Sequence, residues 1–236
     1  MNSTKYKSRF IAGKILAEFI RSKDEVFCNQ IIDNPNGFFC FAIPNGGVPV
    51  VEGFSSELGI NYDILIVRKI KIPYNTEAGF GAVTTDGTVL FNQSLLNQLN
   101  LSENQIKESI STTTEEIKQR IRYYNKILNP ENLYTTNIQN KNIFILDDGL
   151  ASGFTMLAGI NMIKKYKPKK IYVAVPTAPL RTIKKIENEI NEIFCPNIRT
   201  TVWFAVADAY EHWYDVPETE VLETIKHSKY YRQTMI

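Results

Sequence analysis

The sequence predicts an α/β protein with an open, mostly parallel five-stranded sheet, helices on both faces and a small hood. Two observations lead to this. First, five short apolar runs have the length and composition of strands buried on both sides: Phe38-Phe39-Cys40-Phe41-Ala42-Ile43, Ile64-Leu65-Ile66-Val67, Ile143-Phe144-Ile145-Leu146, Ile171-Tyr172-Val173-Ala174-Val175 and Val202-Trp203-Phe204-Ala205-Val206. Second, segments of helical periodicity separate them, and strand–helix alternation needs crossover connections, hence parallel neighbours.

The elements follow in order. Phe10, Ile11, Leu16, Phe19 and Ile20 recur at helical spacing, giving an opening helix over 8–22. Asn34-Pro35-Asn36-Gly37 is a turn before the first strand. That strand ends in Pro44-Asn45-Gly46-Gly47-Val48-Pro49, and a helix continues to about Leu58. After the second strand, Arg68-Lys69-Ile70-Lys71 leads into 73–87, rich in Gly, Thr and Asn, which reads as a mobile loop or loose hairpin. Ser102 caps a long helix over 102–128 with the stripe Ile106, Ile110, Ile117, Ile121 and Leu128, ending near Asn129-Pro130. Helices over 155–166, 180–191 and 218–226 complete the pattern. No repeat or linker interrupts it, so residues 1–236 are expected to form one domain.

Bulk properties exclude several classes. The chain has 236 residues, 27 basic and 25 acidic, for a formal net charge of +2. That balance gives no reason to expect nucleic acid or an anionic membrane as partner. No apolar run reaches membrane-spanning length. Cys28, Cys40 and Cys195 are odd in number and scattered, which argues against a disulfide framework or zinc site and fits a reducing, cytoplasmic setting. His212 and His227 have no metal-ligand spacing and read as structural or surface residues. Gly79-Phe80-Gly81 lacks the third glycine of a dinucleotide fingerprint. Tyr210-Glu211-His212-Trp213-Tyr214 reads as an aromatic edge packed on the sheet, with base stacking as the other reading.

Chemistry concentrates beyond the carboxyl ends of the strands, where open parallel sheets bind ligands. In Asp147-Asp148-Gly149-Leu150-Ala151-Ser152-Gly153-Phe154-Thr155 two carboxylates leave a buried strand. Gly149 allows a turn, Gly153 allows close approach, and Ser152 and Thr155 bring hydroxyls to a helix start. Free amides and the dipole there favour an anion. Acid pair and amide nest together suit a ligand with vicinal hydroxyls and a phosphate, such as a ribose 5-phosphate.

The run Ile143-Phe144-Ile145-Leu146-Asp147-Asp148 with Ala151-Ser152-Gly153-Phe154-Thr155 resembles the phosphoribosyl pyrophosphate (PRPP) signature of the type I phosphoribosyltransferases. Ala42-Ile43-Pro44-Asn45-Gly46-Gly47-Val48-Pro49-Val50, Val67-Arg68-Lys69, Gly81-Ala82-Val83 and Val173-Ala174-Val175-Pro176 resemble one branch of predicted phosphoribosyltransferases, in that branch's order, over most of 10–210. The resemblance implies transfer of a 5-phosphoribosyl group from PRPP to a nitrogenous small-molecule acceptor, with Mg²⁺ and release of pyrophosphate. Asp147 and Asp148 then hold the ribose hydroxyls, directly or through magnesium-bound water. Gly149, Leu150, Ala151, Ser152, Gly153, Phe154 and Thr155 wrap the 5′-phosphate. Asn45, Gly46 and Gly47 match the pyrophosphate loop, and Arg68 and Lys69 neutralise pyrophosphate charge. Hood elements come from about 1–30, 71–92 and 207–236, and a homodimer is the ordinary expectation. One departure stands out: the branch carries Arg where this chain has Asn45. That feature favours the alternative, a catalytically weak or inactive PRPP- or nucleotide-binding regulatory protein; a hydrolase using water as acceptor is a third reading.

Overall fold

The computed structural model describes residues 5–124 and 130–232. The first helix, α1 (Arg9–Lys23), is capped by the Ser8 hydroxyl, which accepts the Ile11 N–H at 3.2 Å, and it turns Ala12, Leu16, Ala17 and Ile20 inward. Asp24 then caps a second helix, α2 (Glu25–Asp33), which the periodicity reading leaves out. The chain enters β1 (Phe38–Ala42), α3 (Gly47–Leu58) and β2 (Tyr62–Ile64). Helices α1 and α3 cross closely, since a Cβ on Gly13 would overlap the Val50 carbonyl.

Of the two expectations for 73–87, a mobile loop or a loose hairpin, the antiparallel arrangement is the one that forms, and it is well ordered into strands. β3 (Val67–Ile72), β4 (Asn75–Thr84) and β5 (Val89–Phe91) form a separate sheet, with register shifts around Lys71. Phe80 and Val83 bury side chains from it, which the Gly/Thr/Asn content conceals. Next come α4 (Gln93–Gln98) and α5 (Glu103–Tyr123), the latter opened by a capping box between Ser102 and Gln105. It ends at Tyr123 with Tyr124 as its C-cap, short of the expected end near Asn129-Pro130; residues 125–129 lie outside the described residues. The remaining elements are α6 (Pro130–Ile138), β6 (Asn142–Leu146), α7 (Phe154–Lys165), β7 (Lys170–Ala174), β8 (Thr177–Pro179), α8 (Leu180–Ile186), β9 (Glu192–Phe194), β10 (Asn197–Arg199) and α9 (Glu218–His227).

The central sheet has five parallel strands in the order β2-β1-β6-β7-β9. Its fifth strand corrects the expectation of 202–206. Glu192, Ile193 and Phe194 take the edge beside β7, and Phe194 is buried against Tyr172 and Phe144. Val202 and Trp203 are instead 80% and 89% exposed, and of that run Val206 packs on the cluster of Tyr6, Ala12, Ala209 and Tyr210, away from the sheet edge. Side chains alternate between two cores. Phe38, Cys40 and Ala42 face the layer of α1, α2, α3 and α5, whereas Phe39, Phe41 and Ile43 face α6, α7 and α8. Phe144 lies in a cluster with Phe27, Phe54 and Tyr172, and truncating such a buried ring costs about 3–5 kcal/mol. All three cysteines are buried thiols without disulfides. Among the described residues no helix is long and apolar enough to cross a membrane.

Candidate functional site

The strand order reverses between β1 and β6, because the chain leaves β1 towards β2 on one side and later returns to the other. Ala42 pairs with Leu146, and the Ile43 N–H donates to the Leu146 carbonyl at 2.9 Å. The loops after these strands are therefore side by side at the switch point. Gly46 in one loop meets Asp148 in the other, and a Cβ on Gly46 would overlap the Asp148 carboxylate. A glycine is required there by space, not by backbone angle.

The first loop turns straight into α3. Gly47 N–H donates to Ile43 O at 3.0 Å and Val48 N–H to Asn45 O at 3.2 Å. This leaves Asn45 and Gly46, but not Gly47, with amides unengaged among the described residues. The Asn45 side chain is held on both sides. Its Nδ2 donates to Val216 O at 2.7 Å, and its Oδ1 accepts from Arg120 Nη1 at 3.0 Å.

In the second loop, Asp147 Oδ1 accepts the Asp148 N–H at 2.8 Å, so the first carboxylate is tied to the backbone of the second. Asp148 Oδ2 accepts from Arg9 Nε at 2.8 Å, and Tyr210 OH donates to the Asp148 carbonyl at 2.7 Å. Burial pushes both carboxyls above the ordinary aspartate range. For Asp147 the neighbouring Asp148 charge adds to this, whereas for Asp148 the Arg9 guanidinium opposes it. Gly149 and Leu150 are buried, and Leu150 N–H is anchored to Thr177 O at 3.0 Å. Ala151, Ser152 and Thr155 are exposed around the start of α7. The N-cap residue, Gly153, has no side chain to cap that helix; the Phe154 N–H donates instead to the Ser152 Oγ at 3.4 Å, and the next amides of the first turn have no partner among the described residues.

Arg68 and Lys69 are neighbours in β3 and so point to opposite faces. Lys69 lines a cavity of about 220 Å³ with Ser152, Phe154, Thr155 and Lys185, beside the second loop. Arg68 lies among Arg120, Glu116, Glu218 and Tyr124, and of these Arg120 and Tyr124 both reach Asn45 Oδ1. The two cations expected to act together are thus divided between the two loops.

The family model for the phosphoribosyl transferase domain matches residues 27–212, which include both loops. The chain belongs to the phosphoribosyl transferase family. Among curated relatives, the provisionally named phosphoribosyl transferase MT0597 of Mycobacterium tuberculosis is 25% identical over 76% of this chain and 39% of its own length. The chain thus spans about two fifths of that relative. A uracil phosphoribosyltransferase of Ureaplasma urealyticum is 32% identical over 33% of this chain and 35% of its own length. TT1426 from Thermus thermophilus has the same fold, with a TM-score of 0.71 and 22% identity over 94% of this chain and 97% of that one.

Two arginines at this candidate site escape a sequence reading confined to the loops. Arg9 is only 5% exposed and lies over the Trp213 ring at 4.1 Å, with Tyr210 and Tyr214 within 5.5 Å. It occurs in phase with Ala12, Gly13, Leu16 and Ile20, and a cation on an apolar stripe is the signal that marks it. Arg120 follows Thr113 and Ile117 on the buried face of α5 in the same way. The Tyr210–Trp213–Tyr214 cluster packs on Arg9.

The residues present fit Mg²⁺ as a water-keeping ion. Asp147 and Asp148 give hard oxygen donors, while no group of three potential ligands comes together among the described residues.

Gly153 enters α7 with φ 73°, in the left-handed region, and Thr182 Cγ2 lies 2.7 Å from where a Cβ would sit. Gly153→Ala is therefore expected to lower stability by about 1–2 kcal/mol in urea denaturation.

Proposed function

We propose that the chain binds PRPP with Mg²⁺ and transfers its 5-phosphoribosyl group to a nitrogenous acceptor. The observation that carries this reading is the pairing of two carboxylates with a helix start ringed by the Ser152 and Thr155 hydroxyls on one loop, opposite the glycine loop after β1. Asp147 and Asp148 have the chemistry to hold the ribose hydroxyls. The exposed Ser152 and Thr155 hydroxyls and the first amides of α7 suit the 5′-phosphate, with Lys69 and Lys185 nearby. The amides of Asn45 and Gly46 suit the pyrophosphate. In the reaction the C1′–O bond breaks with its electron pair leaving on pyrophosphate, a C1′–N bond forms to the acceptor, and the acceptor nitrogen gives up a proton. Bound Mg²⁺ supplies charge neutralisation for the leaving group. The protein's contribution is positioning and electrostatic stabilisation, with no side-chain nucleophile. The described parts of 1–30, 71–92 and 207–236 are read as the hood on the acceptor side.

Calorimetric titration with PRPP, with and without Mg²⁺, tests this. Saturable binding that depends on Mg²⁺ is expected. No heat under either condition would sink the PRPP reading.

A regulatory PRPP- or nucleotide-binding role is favoured by one observation, the Arg9–Asp148 ion pair, which engages the second carboxylate. Pyrophosphate release across a panel of nitrogenous acceptors separates the two readings. Release dependent on one acceptor supports the transferase. Tight PRPP binding without release supports regulation, and release without any acceptor supports a hydrolase.

A further inference from the structure

The long helix α5 brings a second guanidinium to the glycine loop. Arg120 is 13% exposed, bonds Asn45 Oδ1 through Nη1, and pairs with Glu218 at 2.7 Å through Nη2. Arg68 approaches from β3, close enough that Arg120 disfavours its charged form alongside burial. Neither Arg68 Nε nor Arg120 Nε has a hydrogen-bond partner among the described residues, although both atoms are buried. Buried N–H groups are ordinarily satisfied, and two like charges held together are costly without an anion between them. Glu218 answers one of the two charges, and Glu116 is already engaged by Lys71 at 3.1 Å. The surplus positive charge lies beside the unengaged amides of Asn45 and Gly46.

We infer that Arg120, with Arg68, forms a guanidinium pair that binds the pyrophosphate moiety of the ligand, and that Asn45 is the residue positioning Arg120 for this. The inference rests on the PRPP reading above. It also accounts for the uncharged residue at 45: the cation at this loop is delivered from α5 instead of from the loop itself. Guanidinium groups suit this task because their forked N–H donors match phosphate oxygens. When pyrophosphate arrives, it competes with Glu218 for Arg120.

The test compares inorganic pyrophosphate, PRPP and ribose 5-phosphate, each with Mg²⁺, by calorimetry on the wild type and on Arg120→Gln. Glutamine can still donate to Asn45, and melting temperature monitors folding. Arg120→Gln is expected to raise the Kd for pyrophosphate and PRPP at least 10-fold and leave ribose 5-phosphate unchanged. Adding Asn45→Arg to Arg120→Gln is expected to recover most of the lost affinity, because the new side chain reaches the same space. Glu218→Gln removes the ion pair while keeping the cation, and is expected to leave pyrophosphate affinity unchanged or tighter. Equal pyrophosphate affinity in wild type and Arg120→Gln overturns the inference. So does a Glu218→Gln loss as large as that of Arg120→Gln, which would mark a structural role. Failure of the wild type to bind either ribose 5-phosphate or PRPP defeats the PRPP reading, whatever the pyrophosphate arm reads.

Discussion

Asp147→Asn and Asp148→Asn are each expected to weaken Mg²⁺-dependent PRPP binding by roughly 100-fold, yet to move stability in opposite directions. A loss of that size corresponds to about 2.7 kcal/mol, within reach of a charged contact. Among the described residues no cation is bonded to Asp147, and its Oδ1 accepts the Asp148 amide, a role an Asn oxygen can keep. Burial raises its folded-state pKa above that of the unfolded chain, where it is near 3.8. Its ionisation therefore opposes folding: the penalty is absent below the unfolded value and grows as pH rises through the window up to the raised one. Asp147→Asn removes the penalty, and a melting temperature higher by ~2–4 °C at neutral pH is expected, equivalent to about 1 kcal/mol. Asp148→Asn instead leaves the buried Arg9 guanidinium without its anion. A loss of about 1.5–3 kcal/mol is expected, the worth of a hydrogen bond to a charged group. Wild-type PRPP affinity should rise with pH as Asp147 ionises, and the difference from the Asp147→Asn profile isolates this from titration of the ligand. Thermal unfolding and titrations across pH check both. If both variants change stability in the same direction, the assignment of Arg9 to one carboxylate is wrong.

The second large effect concerns the space between the loops. Gly46 has φ −62°, so an alanine there meets no backbone strain. Its Cβ, however, would overlap the Asp148 carboxylate. Gly46→Ala is expected to force the loops apart and weaken PRPP binding by at least ~100-fold, about 2.7 kcal/mol, because a displacement near 1 Å at a positioned site has effects of this size. The steric origin is separable from other causes. In an Asp148→Ala background the obstructing carboxylate is gone, so Gly46→Ala should cost almost no additional stability. A double-mutant cycle in urea measures this coupling. Additive losses would show that Gly46 matters for some reason other than its contact with Asp148.

The parts of the fold legible in the sequence are those set by local periodicity. β1, β6 and β7 are continuous apolar runs, and a strand completely buried on both faces has no polar phase to confuse the pattern. The edge strand was not legible. Val202-Trp203-Phe204 is more apolar than Glu192-Ile193-Phe194, but the short α8 returns the chain to β7 before 202 is reached, and proximity decides the pairing. The two loops of the site could be read because each is contiguous, a strand, a turn and a helix start. Arg9 and Arg120 come from helices distant in sequence from the loops they touch, so only their place on buried helix faces betrays them. Arg68 and Lys69 mislead for the opposite reason. Adjacent residues of a strand look like one charged patch in sequence and project to opposite sides in space.

The switch point between β1 and β6 also bears on how the chain is made. The two strands pair residue for residue from Phe38 with Asn142 to Ala42 with Leu146, although all of α3, the antiparallel sheet and α5 lie between them in sequence. During synthesis β1 and β2 leave the ribosome long before their neighbour exists. Until then, one side of β1 is an unsatisfied hydrogen-bonding edge flanked by Phe39 and Phe41, the kind of edge that recruits other chains. The nascent protein is most vulnerable to aggregation in that interval, and it ends only when β6 emerges and closes the middle of the sheet.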